Sequence, residues 1–495
     1  MAGPIAEPAS GRLLNMASIE TDLVLRGANR DRTAGSKDQG NDSSSTLQLF
    51  KALGLPVQPG QLPADTLRQL AHGAQTHSGA ATKAWIDTLK DESTFVHQSD
   101  LGLAGAQQAL ASGGAPDLNH PAMVHATQLR ERLQQAGLPT KADGVEIHVL
   151  GESDHQGHGA SVVRSAAGPT GLGAGSAIHL DPSNSSSIKA KLGGGIDALA
   201  SGKIGLDEAL QAGGAYYVGH VDATRAELSA LRGRTPADGE VRVANLSWGQ
   251  SVDRIADLMT TKALEAGHGS ALLKDANRAL SAAGNGTIDP TQPNARAKLK
   301  AYLSSSLQQE IQGPRTGPKL VAAKEALAEE VKAARAHGIL PIIAAGNEGD
   351  PKLLAKVPAE LRGEILARYQ SAVADVPGLL VVGASELNDP LDPADDSPWA
   401  HNNQGAMVLA PGQRRPVGPP IFSGGPPSDL DGTSFAAPYL AGVASLMIAA
   451  NPKLTVEQLE AILTDPAAQQ PVTGSSVGAI DPFRAMTLAR SAPLD

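Results

Sequence analysis

The run Gly432-Thr433-Ser434-Phe435-Ala436-Ala437-Pro438, continuing without a charge to Ala450, constrains this chain more than any other stretch. A turn of small residues leads into a long apolar segment, read as a helix from Ala436 to Ala450. Glycine at 432 lets a ligand or another backbone come close. A serine just after it sits at a helix N-terminus, where unpaired N–H groups and the helix dipole favour negative charge. That place suits a nucleophile whose attack creates an oxyanion. Pro438 falls near the helix start, where a missing N–H matters least. A helix-capping serine accounts for a lone Gly-x-Ser but not for the whole string. Phe435 to Ala450 is short for a membrane span and contains Pro438 and Gly442, so a buried helix of a soluble protein is expected.

Ala-rich helices packed on a sheet suit a chain of 495 residues with only 3 % aromatics, because Ala, Leu, Val and Ile must then fill the core. The length accommodates two to four average domains, or one large α/β domain with insertions. A formal charge of −10 with dispersed acidic residues and no basic block argues against a nucleic-acid partner. The absence of cysteine excludes disulfides, thiol catalysis and thiolate metal sites. Residues 1–30 carry Glu7, Glu20 and Asp22 and no continuous apolar core, so no Sec-type signal is evident. The expected location is cytoplasmic, or exported by a route independent of a signal peptide.

Residues 1–45 read as a poorly ordered, Gly- and Ser-rich segment, and 46–92 as a small helical N-terminal region. From 93 to 495 strands alternate with helices. Val145–Leu150, Ser176–Leu180 and Val241–Ser247 are strand candidates. Ile339–Ala344 and Leu379–Val382 are fully apolar, as central parallel strands are. Helical insertions lie near 184–239 and 253–335. The expected fold is α/β: a doubly wound, mostly parallel sheet flanked by helices.

A serine hydroxyl needs a base, a group that orients the base, and donors for the oxyanion. His158, in Asp154-His155-Gln156-Gly157-His158-Gly159, stands at a loop-to-helix junction and is the base candidate. Asn347, in Ala344-Ala345-Gly346-Asn347-Glu348-Gly349, leaves a buried strand and can donate an amide hydrogen to an oxyanion. Together with the serine string, these motifs resemble those of the subtilisin-like serine peptidases (subtilases). The resemblance covers about residues 94 to 490 and includes Val381-Val382-Gly383-Ala384-Ser385 and Ala410-Pro411-Gly412. It departs at Ala160, where the family usually has threonine. By resemblance, Ser247, Trp248 and Gly249 bind the substrate backbone and line its first pocket. Ala345 and Gly346 are likewise expected to bind substrate, and the implied fold is subtilisin-like.

The orienting aspartate has four candidates: Asp100, Asp117, Asp143 and Asp154. Asp100 ends the extended run Phe95–Ser99 and is followed by Leu101-Gly102-Leu103, which resembles the family's aspartate motif. Asp154 matches a position of the histidine motif that is not catalytic in the family. Asp100, His158 and Ser434 are therefore the expected catalytic triad, with Asn347 in the oxyanion hole. No metal or cofactor is required. An acidic loop, Asp389, Asp392, Asp395 and Asp396, offers oxygen ligands for calcium, but Pro390, Pro393 and Pro398 favour a solvated turn. The function expected is a serine endopeptidase acting on protein or peptide substrates. The alternative is a catalytically weakened subtilase-like domain that binds proteins, and a third class is an esterase using the same triad.

Overall fold

The computed structural model describes residues 121–151, 158–181, 203–235, 239–349, 368–386, 397–399, 401–403, 405–412, 431–472 and 475–493. The chain divides after residue 98 into two units, and every described residue belongs to the second. The expectations for 1–45 and 46–92, for Asp100, Asp117 and Asp154, and for the acidic loop 389–396 lie outside the described residues.

Parallel strands β1 (Glu146–Leu150), β2 (Ala177–Asp181), β3 (Arg242–Leu246), β4 (Ile339–Ala344), β5 (Leu380–Glu386) and β7 (Val408–Pro411) build the sheet. Short strands β6 (Ser397–Pro398), β8 (Gln469–Gln470) and β9 (Ala479–Ile480) complete it. The order is β2-β1-β3-β4-β5-β7-β9-β8, with β6 pairing antiparallel to β5 and β8 antiparallel to β9. Between the parallel strands run helices α1 (Pro121–Gln135, before β1), α2 (His158–Ala167), α3 (Leu206–Arg234), α4 (Val252–Glu265), α5 (Ala271–Ala282), α6 (Ala295–Gln312) and α7 (Gly317–Ala336). After β7 come α8 (Thr433–Ala450), α9 (Val456–Thr464) and α10 (Pro482–Ser491). The architecture is the mostly parallel α/β sheet that the sequence predicts.

Strand alternation separates two cores. Ile147 and Val149 of β1, with Leu340 and Ile342 of β4 and Leu380 and Val382 of β5, face α2, α8, α9 and α10. Leu150, Ile339, Ile343 and Val381 face the opposite layer, formed by α3 to α7. Both faces are covered, which is why β4 reads ILPIIA without polar alternation. On α3, Tyr217, Val221, Thr224, Leu228 and Leu231 are buried at spacings of three and four, one stripe of a helix.

The insertion α5–α6 is fastened to α4 by a buried group. Asp253 accepts a hydrogen bond from Ser304 Oγ at 2.9 Å and pairs with Lys300.

α8 is buried on all sides from Phe435 to Ile448. It is the one described helix long and apolar enough to cross a membrane, and 83 % of it is buried inside the protein. The sequence places its start at Ala436, but the structure starts it at Thr433. Pro438 is therefore the sixth helical residue, not an early one. Its missing N–H leaves the Ser434 carbonyl without the usual helical donor. The Ser247 hydroxyl supplies that donor at 2.8 Å.

Candidate active site

Strands β3 and β4 are parallel neighbours in the register Asn245↔Ile342 and Leu246↔Ile343. Their C-terminal ends emerge side by side, where ligands of open α/β sheets bind. The segment after β3 is Ser247-Trp248-Gly249-Gln250, and that after β4 is Ala345-Gly346-Asn347-Glu348. With the start of α8 and the start of α2 they surround a cleft of about 460 Å³. It is lined by His158, Ser247, Trp248, Gly249, Gly346, Asn347 and Ser434 among the residues singled out in the sequence. Ala345 is placed elsewhere, fully buried in the core beneath α3 to α7, and Ala344 lines the cleft in its stead.

Asn347 is held by a chain of hydrogen bonds whose direction is fixed. Gly346 N–H donates to Thr433 Oγ1 at 3.0 Å, so the Thr433 hydroxyl hydrogen goes to Asn347 Oδ1 at 2.8 Å. Thr433 N–H donates to the same Oδ1 at 2.9 Å. Two donors on one atom settle which end of the amide is oxygen. The Asn347 Nδ2 group thus turns away from Thr433 and donates to no described residue. Gly432, at φ +153°, leaves room for it: a Cβ there would approach Nδ2 to 3.1 Å. The Ser434 N–H likewise has no acceptor among the described residues, as expected in the first turn of a helix. Two donors without an acceptor among the described residues therefore stand at the cleft.

His158 begins α2 and is half-buried. Its ring lies 5.7 Å from that of Phe435. Ser165 Oγ on the same helix donates to the Phe435 carbonyl at 2.7 Å in the buried interface, tying α2 to α8. Ala160, the departure from the family pattern, is fully buried in the apolar core. The Ser434 hydroxyl donates to the Ser247 carbonyl at 3.1 Å, while Asn245 Nδ2 donates to Ser247 Oγ at 2.9 Å. Asp143 lies before β1, packed against Gly175. A five-residue strand of about 16 Å separates it from the end of the sheet that carries the cleft.

Trp248 both lines the cleft and packs beneath it. A Cβ on Gly151 would fall 2.5 Å from its ring, and its edge meets the His220 ring of α3 at 5.7 Å. Burial, reinforced by the Arg254 charge, holds the His220 pKa down at about 4. Arg254, in the first turn of α4, also lines the cleft and donates to Glu348 Oε1 at 3.1 Å. Thr433, Glu348, Arg254 and Asn403 are contributors that the sequence reading leaves without a role. Thr433 stands inside the serine string. Asn403 has no local signal at all.

Among the described residues, one group has the spacing of metal ligands: Glu146, His148 and His179, on β1 and β2. The two imidazoles stack at 4.6 Å, and Arg242 Nε donates to Glu146 Oε2 at 2.7 Å. With a buried guanidinium already on its only carboxylate, the group is an ion-paired network. It holds the Glu146 pKa down at about 2, chiefly through the His148 hydrogen bond.

The model of the subtilase family matches residues 150–479, more than half of the chain. The chain belongs to the subtilase family, serine peptidases whose substrates are proteins or peptides. No curated protein matches it. Among solved structures it is similar to a cold adapted subtilisin-like serine proteinase, at 15 % identity and a TM-score of 0.34, over 69 % of this chain and 89 % of that one. A protease from Pseudoalteromonas arctica PAMC 21717 is similar at 22 % identity and a TM-score of 0.25, over 33 % and 47 %. A mutant of the protease domain of PatA follows at 20 % identity and 0.25, over 38 % and 67 %.

Proposed function

We propose that the chain is a serine endopeptidase in which Ser434 is the nucleophile, His158 the base and Asn347 an oxyanion donor. The observation that carries this reading is the pair of uncommitted donors, Ser434 N–H and Asn347 Nδ2, flanking the serine on a cleft that His158 also lines. The Ser434 oxygen attacks the peptide carbonyl carbon and its proton passes to His158. The carbonyl oxygen, now negative, receives hydrogen bonds from the two donors. Collapse expels the amine, which takes the proton from His158, and leaves an acyl ester on Ser434. Water then repeats the sequence and releases the acid. Asp100 is proposed to orient His158 and stabilise the imidazolium.

The Ser434 hydroxyl hydrogen points at the Ser247 carbonyl, which favours, as a second reading, a domain that binds peptides without turning them over. A fluorophosphonate probe separates the two, because labelling requires an activated serine. Labelling that is lost in Ser434→Ala, with cleavage of unstructured protein substrates, is the expected result. A folded chain that neither labels nor cleaves overturns the peptidase reading, and ester hydrolysis without peptide hydrolysis replaces it with an esterase.

A further inference from the structure

The side chain of Asn347 is aimed by Thr433, but the loop that carries it is held from the other side, by Asn403. Gly346 has φ +103°, a backbone conformation that only glycine adopts readily, so the loop needs external support to keep its shape. Asn403 provides three hydrogen bonds. Its N–H donates to the Gly346 carbonyl at 3.1 Å, and its Oδ1 accepts from Glu348 N–H at 2.8 Å. Its Nδ2 donates to Glu348 Oε2 at 2.6 Å. The same Oε2 accepts from the N–H of Asn347 itself at 3.2 Å and from Ser251 Oγ at 3.2 Å, while Oε1 takes Arg254. Every peptide unit around Asn347 is thereby tied to Asn403 or to the carboxylate that Asn403 holds.

Asn403 is buried and does not line the cleft, so it acts on a substrate only through the loop. Its chemistry is specific to the task. Its amide offers a donor to the carboxylate and, from a separate atom, an acceptor to the backbone N–H at the same time. Aspartate keeps the acceptor but sets a second negative charge against Glu348. There is no space to tighten the loop otherwise, since a Cβ on Gly346 would fall 2.1 Å from Asn403 Nδ2.

We propose that Asn403, acting with Glu348, is a positioning residue for the oxyanion donor Asn347. The proposal rests on the reading of Asn347 given above. Loops that carry transition-state donors lose rate steeply when displaced, and a donor misplaced by a fraction of an ångström affects the transition state more than substrate binding.

The test is a set of kcat and KM measurements on one peptide substrate, with thermal melts to confirm folding. Asn403→Asp is expected to lower kcat about tenfold with KM changed less than about twofold. Adding Glu348→Gln removes the like charge but sets an amide NH2 against Asn347 N–H, so only part of the lost kcat should return. In an Asn347→Ala background the same Asn403→Asp change should alter kcat less than about twofold, because the donor it positions is gone. If Asn403→Asp does not fold, Glu348→Gln alone, which keeps the side chain's shape, is measured in the two backgrounds and must show the same non-additivity. An equal loss in both backgrounds, or full kcat in folded Asn403→Asp, overturns the proposal while leaving the oxyanion role of Asn347 intact. Full kcat in Asn347→Ala overturns both.

Discussion

Ser247 and Ser434 exchange hydrogen bonds in opposite directions: the Ser247 hydroxyl donates to the Ser434 carbonyl at 2.8 Å, and the Ser434 hydroxyl donates to the Ser247 carbonyl at 3.1 Å. The first bond has no competitor from Pro438, which lacks an N–H. The second is exchangeable. In the proposed reaction Ser434 turns about its Cα–Cβ bond to pass its proton to His158 and gives up one neutral hydrogen bond, worth about 1 kcal/mol.

Ser434→Ala should therefore fold and melt within about 1 kcal/mol of the parent, since it deletes one weak hydrogen bond at a half-exposed position. Probe labelling and peptide cleavage should both disappear. Residual cleavage above that of a mock preparation would point to another nucleophile.

For Asn347→Ala we expect kcat to fall roughly a hundred- to a thousandfold, with KM little changed, the range known for removal of one such donor in subtilisin. Stability is a separate readout. Thr433 N–H and Oγ1 both lose their acceptor, so the melt should also shift downward.

Pro438→Ala dissociates helix stability from activity. The new N–H can bond to the Ser434 carbonyl in the ordinary helical way, and alanine is the better helix former by about 3 kcal/mol in a helix interior. The melt should hold or rise, while kcat falls several-fold because the new N–H competes with the Ser247 hydroxyl for that carbonyl. An unchanged kcat would show that this contact does not govern the serine.

The orienting aspartate is tested by four Asp→Asn variants. Asp100→Asn should lower turnover by about three to four orders of magnitude, the amide favouring the wrong imidazole tautomer. Asp143→Asn should leave it within about twofold, because its side chain packs at the far end of β1. Asp117→Asn and Asp154→Asn are expected to be mild. If Asp154→Asn is the variant that abolishes activity, the strand assignment before His158 is wrong.

His220 makes stability pH-dependent. An unfolded imidazole titrates near pH 6.5, whereas burial beside Trp248 holds the folded value down at about 4. The fold binds only the neutral form, so its contribution is whole above about pH 6.5 and is lost progressively as pH falls toward 4, to a total of order 3 kcal/mol. Urea melts at pH 7.5 and 5 should show the decline, and His220→Phe should flatten it. Glu146 acts in a lower window, below its unfolded value of 4.5 and down to about 2, and does not confuse the comparison.

The sheet was legible in the sequence because its central strands are buried on both faces and so read as unbroken apolar runs, Ile339–Ala344 above all. The motif residues lining the cleft were legible because Ser434, His158 and Asn347 each sit in a short string of fixed chemistry. Sequence places the start of α8 three residues late because Pro438 suits an early helical position, whereas the structure makes it interior and gives the freed carbonyl to Ser247. Ala344 and Ala345 alternate in direction, and their side chains enter the two opposite cores. Asn403 and Arg254 could not be found from sequence. Each acts through a contact made across the fold, and nothing in its neighbours marks it.

The helix that carries Ser434 packs against β1, β3, β4, β5 and β7 as well as α2. Such an element has no route to open by itself; its amides exchange with solvent only when the whole sheet comes apart. Thermal inactivation and global unfolding should then coincide on one curve, with no range of temperature in which an intact sheet carries a dead serine. A chain organised in this way also protects itself. The stretch most harmful to cut is the last to become available to another molecule's active site.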